Sequence, residues 1–298
     1  MSDTLTFSIP SATSEGDPLR IFLHQAANAD EDQGLSETNT GFVMWPSAVL
    51  LAHHLCKNPS LVLGDDGTPD GDVMELGAGC GLVGLTAATL LQNANDGNDD
   101  KVIFTDYNPV VLENLQKNID LNDFDAYHKV LGLDWFDQEE HHEQQQKKQQ
   151  QSDDGSDASG EDNANTWVDV EGKEHAQVRL ILGADLLVCT NDADLVASTI
   201  DSALIDGGKA FILGADKYTR FGVQNFPDAC RSLGLKVTVH EDLLGSDFAA
   251  EEVDGEMQQQ QQQQLMDELE LGGYNQRAST MAHDFTLFKI TKPIAKSA

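Results

Sequence analysis

From about residue 41 onward, short apolar runs alternate with longer amphipathic stretches, a periodicity that switches between strand and helix. Val73, Met74 and Leu76 make one run, which passes into a glycine-rich turn at Gly77, Gly79 and Gly81. The apolar stretch Leu82–Leu91 (LVGLTAATLL) predicts a buried helix directly after it. Further strands are predicted at Lys101–Asp106 (KVIFTD), Lys129–Trp135 (KVLGLDW), Val178–Asp185 (VRLILGAD), Lys209–Gly214 (KAFILG), Leu235–His240 and His283–Ile290. Between them, helices are predicted over Pro109–Leu121, with Val110, Leu112, Leu115 and Ile119 as the apolar stripe, over Asp192–Leu204 with Asp192 as cap, and over Phe221–Leu233. Ahead of the first strand, Trp45, Ala48, Val49, Ala52 and Leu55 share one helical face, and Pro46 suits a first helical turn. Strands alternating with helices predict a doubly wound α/β sheet.

Two stretches break the pattern. Residues 138–166 are low in complexity, rich in Gln, Glu, His, Lys, Asp, Ser and Gly, and offer too few apolar side chains to offset the entropy of ordering them. Residues 243–275 are a second low-complexity insert, with a run of glutamines from Gln258 to Gln264. The domain reading is therefore a polar N-terminal segment over 1–40, with a short strand at Leu19–Leu23, one domain over 41–290 carrying those two inserts, and a tail over 291–298. Charge follows the same division. The 298-residue chain has a net charge of −33, with about −6, −6 and −8 in residues 1–40, 138–166 and 243–275, so the remainder is also acidic. Such a surface repels nucleic-acid phosphates and favours a basic protein partner or a cationic small molecule. The four cysteines, Cys56, Cys80, Cys189 and Cys230, have no metal-ligand spacing, which fits a reducing compartment, cytosol or nucleus. A polar, acidic start and the lack of an 18-residue apolar run argue against a signal peptide and a membrane span.

Candidate chemistry gathers where the predicted strands end. Gly79, Gly81 and Gly84 match the G-x-G-x-x-G of dinucleotide sites, but Gly77 already ends the strand and Glu75 stands two residues earlier. Asp106 ends the second strand, where a carboxylate can accept both hydroxyls of a ribose. Its competing role is to cap the helix that begins at Asn108-Pro109. Asp185 ends the fourth strand. His53 and His54 are adjacent and diverge on a helix, and His141, His142 and Glu143 fall in a low-complexity stretch, so a metal site is not predicted.

Together these residues carry a resemblance. Glu75-x-Gly77-x-Gly79-x-Gly81 resembles motif I of the S-adenosylmethionine-dependent methyltransferases. Gly41, Trp45, Ala48 and Leu51, then Asp106 and Pro109 followed by Leu115, Asn118 and Asn122, resemble the lysine methyltransferase-like branch of the seven-β-strand enzymes, methyltransferase family 16. The resemblance implies a Rossmann-like sheet of seven strands with the last antiparallel. It implies S-adenosyl-L-methionine as cofactor, held by Trp45, Glu75, Gly77, Gly79, Gly81, Asp106, Asp134, Trp135 and Ala184, and Asp185 as the catalytic residue that places a target amine. The implied activity is protein lysine N-methylation by a monomer, without a nucleic-acid or membrane partner. One departure stands out: the branch commonly shows Asp-x-x-Tyr or Asp-x-x-Phe where this chain reads Asp185-Leu186-Leu187-Val188. Phe211, Tyr218 and Phe221 are candidates to replace the aromatic wall. Two alternatives stay open: a non-catalytic methyltransferase-fold module that binds proteins, and a nicotinamide-dependent oxidoreductase resting on the Gly79–Gly84 match.

Overall fold

The computed structural model describes residues 4–9, 19–24, 37–64, 71–94, 101–122, 128–138, 166–215, 220–241 and 285–294. Seven strands form one sheet: β3 (Val73–Leu76), β4 (Val102–Asp106), β5 (His128–Gly132), β8 (Val178–Ala184), β9 (Leu204–Gly214), β10 (Lys236–Glu241) and β11 (Thr286–Thr291). Their order is β5-β4-β3-β8-β9-β11-β10. The first five lie parallel, and β11 runs antiparallel to both β9 and β10. This is the Rossmann-like doubly wound arrangement, with strand order reversing between β3 and β8. Two antiparallel hairpins stand outside the sheet: β1 (Thr4–Ile9) with β2 (Leu19–His24), and β6 (Thr166–Val168) with β7 (Glu174–Ala176).

Strand alternation sends side chains to two cores, one on each face. Val73, Phe104, Leu180, Leu182 and Phe211 point to the side covered by α1 (Pro46–Lys57), the short α2 (Ser60–Leu63), α3 (Leu82–Ala94) and the β1–β2 hairpin. Met74, Ile103, Ile181 and Ile212 point to the side covered by α5 (Asp192–Ala203) and α6 (Phe221–Ser232). The apolar stripe expected on α1 is buried almost all round, from Val49 to Cys56, because it is sandwiched between sheet and α3.

Residues 1–40 contribute more than a polar segment. Phe7, Ile21 and Leu23 are buried in the first core. The outer edge of β2 is held by three asparagines spaced one turn apart, the last two just within and just beyond α4 (Pro109–Asp120). Asn122 accepts from the Phe22 N–H and donates to its carbonyl, at 2.8 and 2.7 Å. Asn118 accepts from the His24 N–H at 2.6 Å, and Asn114 donates to the His24 carbonyl at 3.2 Å. Asn118 also donates to the carbonyl of Cys80 at 2.9 Å, tying this contact to the glycine turn.

The margins of the inserts differ from expectation in the same way. Gln138 is fully buried, its amide donating to the Val168 carbonyl and accepting from the Val168 N–H at 3.0 Å. Thr166 opens β6. The stretch without described structure is thus 139–165, while the second insert lies within undescribed residues 242–284. Lys292, expected in a tail, is buried and paired with Asp201 at 3.4 Å. Replacing 139–165 by a short polar link that keeps Gln138 and Thr166 is expected to move Tm by no more than a few degrees. Loop closure changes by only about 0.6 kcal/mol per halving of length. Gln138→Ala should cost more, because two buried backbone groups of Val168 lose partners at roughly 1–3 kcal/mol each. Thermal melts of both variants check this ranking.

Candidate active site

The carboxyl ends of β3, β4, β5 and β8 open onto a cavity of about 810 Å³. Open α/β sheets bind ligands at this edge, next to the reversal of strand order. All ten residues singled out from the sequence line it: Trp45, Glu75, Gly77, Gly79, Gly81, Asp106, Asp134, Trp135, Ala184 and Asp185.

Its floor is the turn between β3 and α3. Gly77, Gly79 and Gly81 have φ of 55°, 54° and 87°, a left-handed series that favours glycine at each position. Part of the glycine pattern serves packing. A Cβ on Gly81 would lie 2.4 Å from Leu115 Cδ1, and one on Gly84 would lie 2.4 Å from the Phe104 ring. The Gly79–Gly81–Gly84 spacing is thereby accounted for without a dinucleotide. Over the turn lies a short 3-10 segment, Glu37–Phe42: the Cys80 thiol reaches the Gly41 carbonyl at 3.7 Å, and Trp45 Nε1 donates to the Thr40 carbonyl at 3.0 Å. Trp45 itself is the N-cap residue of α1 rather than part of its apolar face.

The acids are anchored as well as exposed to the cavity. Glu75 is buried and accepts from the Gly84 N–H at 3.0 Å, at the N-terminus of α3. Burial pushes its carboxyl from 4.5 to about 8, against the opposing backbone bonds from Gly84 and Val83. Asp106 accepts from the Gly79 N–H at 3.2 Å and the Asn108 N–H at 3.0 Å, so it fastens the glycine turn to the end of β4, and burial raises its carboxyl too. The helix cap is Asn108, which accepts from Val110 N–H. Asp134 accepts from the Phe136 N–H at 2.9 Å, starting a helical turn over residues 135–138 where a longer strand was expected. Burial and the neighbouring Glu75 and Asp106 push the Cys80 thiol up to about 12, which leaves it inert as a nucleophile.

Glu75 makes stability depend on pH. Its native carboxyl holds a proton that the unfolded chain releases above its ordinary value. Its contribution is therefore whole below about pH 4.5, falls as pH rises, and is lost above about 8. Glu75→Gln mimics the protonated acid and is expected to flatten that slope, gaining on the order of a few kcal/mol relative to wild type at pH 8.5 and nothing at pH 4.5. Denaturant melts at the two pH values measure it.

At the other end of the cavity Asp185 is the one described non-glycine residue with positive φ, 58°. Its N–H donates to the Leu213 carbonyl at 2.9 Å. Both carboxylate oxygens are bound by Arg220, from Nε at 2.9 Å and Nη2 at 3.1 Å. Burial raises the Asp185 carboxyl and Arg220 opposes that rise. Arg220 also lies 5.4 Å over the Trp45 ring. Sequence reasoning missed Arg220, since nothing local signals a partner 35 residues from Asp185. It also missed Leu186, Cys189 and Asn191, which join this wall. Of the expected aromatic replacements, neither Phe211 nor Phe221 lines the cavity. Phe211 alternates into the α1–α3 core, Phe221 is exposed, and Tyr218 lies outside the described residues. Asp192 does not cap α5: Asn191 holds the N-cap position and the Asp192 carboxylate accepts from the Cys189 N–H at 2.6 Å. Among the described residues there is no cluster of three or more His, Cys, Asp or Glu placed to hold a metal.

Residues 28–151 match the family model described as lysine methyltransferase. The protein-lysine N-methyltransferase EFM2 of Saccharomyces cerevisiae is 30% identical over 112 residues, covering 35% of this chain and 26% of its own length. An uncharacterized protein of Dictyostelium discoideum is 33% identical over 85 residues, covering 28% of this chain and 20% of its own. The chain thus matches about a quarter or less of the length of these curated relatives. A solved TehB-like SAM-dependent methyltransferase from Corynebacterium glutamicum is 13% identical, with a TM-score of 0.42, covering 84% of this chain and 88% of that one.

Proposed function

We propose that this chain is an S-adenosylmethionine-dependent methyltransferase that modifies a lysine side chain of a protein. The observation that carries the reading is the convergence of Asp106, the left-handed glycine turn, Asp134 and Asp185 on one cavity at the carboxyl edge of the sheet. The similarity to the lysine methyltransferase family over residues 28–151 supports it.

The residues fit such a cofactor. Asp106 accepts the Gly79 N–H on one oxygen and the Asn108 N–H on the other, and a carboxylate has about four acceptor positions, so capacity remains for a ribose hydroxyl. The glycine turn lets a ligand approach the backbone closely. Leu133, Asp134 and Trp135 offer an apolar wall with a polar edge, suited to an adenine. When bound, the cofactor supplies an electrophilic methyl group on a sulfonium. The chain's part is to orient donor and acceptor and to exclude water, which is worth up to about 7–11 kcal/mol in favourable cases. Asp185 stands where an acceptor amine would be held. A nearby carboxylate favours the charged amine, so Asp185 positions the acceptor and is not its general base.

Among the described residues no helix is long and apolar enough to cross a membrane. The proposed setting is the cytosol or nucleus, with a basic protein as substrate for the acidic surface. The test is transfer of a tritiated methyl group to proteins of a cell extract, with identification of the labelled residue. S-adenosylhomocysteine binding is measured in parallel by calorimetry. Failure to bind it would sink the reading. Binding without transfer to any protein would favour the second reading, a protein-interaction module, to which the occupied Asp185 and the aliphatic Val188 also point.

A further inference from the structure

The acceptor end of the cavity has two features that hold a cation, a carboxylate and an aromatic face, and one guanidinium engages both. Arg220 binds both oxygens of Asp185, and its Cζ lies 5.4 Å from the centre of the Trp45 ring. The Asp185 side chain is left 4% exposed, whereas Arg220 is 20% exposed and faces the cavity. A cationic acceptor reaching Asp185 therefore meets a site already filled by charge of its own sign. We infer that Arg220 is an internal stand-in for the acceptor, and that an alkylammonium such as a lysine side chain engages Asp185 by displacing it.

The exchange conserves charge at Asp185: one cation leaves the carboxylate as another arrives, so the buried acid is never stranded without a partner. The guanidinium's bidentate fork fits a carboxylate better than a single ammonium does. A bare amine thus competes poorly, and an acceptor succeeds only with added binding from its surroundings. Exposed Val188 and Phe221 stand beside this end, on the Asp185 loop and next to Arg220, where such contacts would form. Arg220 precedes α6, and the Phe221 N–H donates to the Val188 carbonyl at 3.1 Å, so the segment bearing the stand-in and the loop bearing Asp185 are joined. The left-handed φ of Asp185 is a local strain of the kind found at clamps and switch points.

This inference rests on the methyltransferase reading. The test uses the full chain, saturated with S-adenosylhomocysteine, and calorimetric titration with n-butylammonium chloride as the lysine side-chain probe. Arg220→Ala and Arg220→Gln are expected to bind the probe at least tenfold more tightly than wild type. Arg220→Lys, keeping the charge without the fork, should show a smaller gain. The gain should vanish in Asp185→Asn/Arg220→Ala, a dependence that general loosening of the fold would not produce. Alanine and glutamine variants that keep S-adenosylhomocysteine affinity and Tm but gain no probe affinity would overturn the inference, as would a gain that survives Asp185→Asn. If wild type fails to bind S-adenosylhomocysteine, the methyltransferase reading falls, and this inference with it.

Discussion

Asp106→Ala is expected to lower affinity for S-adenosylhomocysteine by on the order of a hundredfold or more and to lower Tm by a few degrees. The proposed ribose contacts are charge-assisted hydrogen bonds, each worth about 1.5–3 kcal/mol, and about 1.4 kcal/mol is tenfold in affinity. The stability loss has a separate source. Asp106 accepts the Gly79 N–H, and alanine leaves that donor without its side-chain partner at the edge of the turn. Asp106→Asn separates the two effects in part: its one carbonyl oxygen can still accept the Gly79 N–H, while its amide NH2 then faces the Asn108 N–H. It should recover part of the Tm and little of the affinity. Calorimetry and melting on both variants make the comparison, and unchanged affinity in folded Asp106→Ala would remove the residue from the cofactor site.

The second large effect is expected from Gly84→Ala, which should destabilise by about 3 kcal/mol, lowering Tm by roughly 6–12 °C. A methyl group here would stand 2.4 and 2.8 Å from atoms of the Phe104 ring and 2.5 Å from Glu75 Oε2. Neither neighbour can yield cheaply. Phe104 is wholly buried on a central strand, and the Glu75 carboxyl is held by the Gly84 N–H itself. The loss should be present without any ligand, so a scan of apo protein suffices. A Tm within about 2 °C of wild type would show that the strand–helix contact can relax, a bound set as the low end of one kcal/mol's usual effect at this chain length.

These two residues mark what the sequence disclosed. The place of Asp106 was legible because it follows from position: an acid where an apolar run stops lies at the strand's carboxyl edge. The same logic reached Asp185, whereas Asp134 rested on the family resemblance alone, and the apolar runs with their glycine turn disclosed the sheet. What stayed hidden depends on pairing across the fold. Gln138 looks like one more glutamine at the margin of a polar stretch, yet it is buried because its amide matches the backbone of Val168. Arg220 is one basic residue before a helix until β9 brings it to Asp185. β1 was missed although TLTFSI alternates polar and apolar positions as a half-buried strand does, because the run is short and stands in a polar surround; its partners are β2 and α1.

The asparagines that grip β2 have a consequence for how this protein behaves in a crowd. A strand with one unpaired side offers another chain a row of donors and acceptors to copy, the usual seed of aggregation. Here amide side chains at one-turn intervals along α4 and its C-terminal end take up the N–H and C=O of Phe22 and the N–H and C=O of His24. They behave as a phantom strand, covering the outer side of β2 without lengthening the sheet. Their value is then colloidal as much as thermodynamic. Removing Asn122, the residue at the more exposed end, would lower the solubility limit of the protein while its melting temperature changed little.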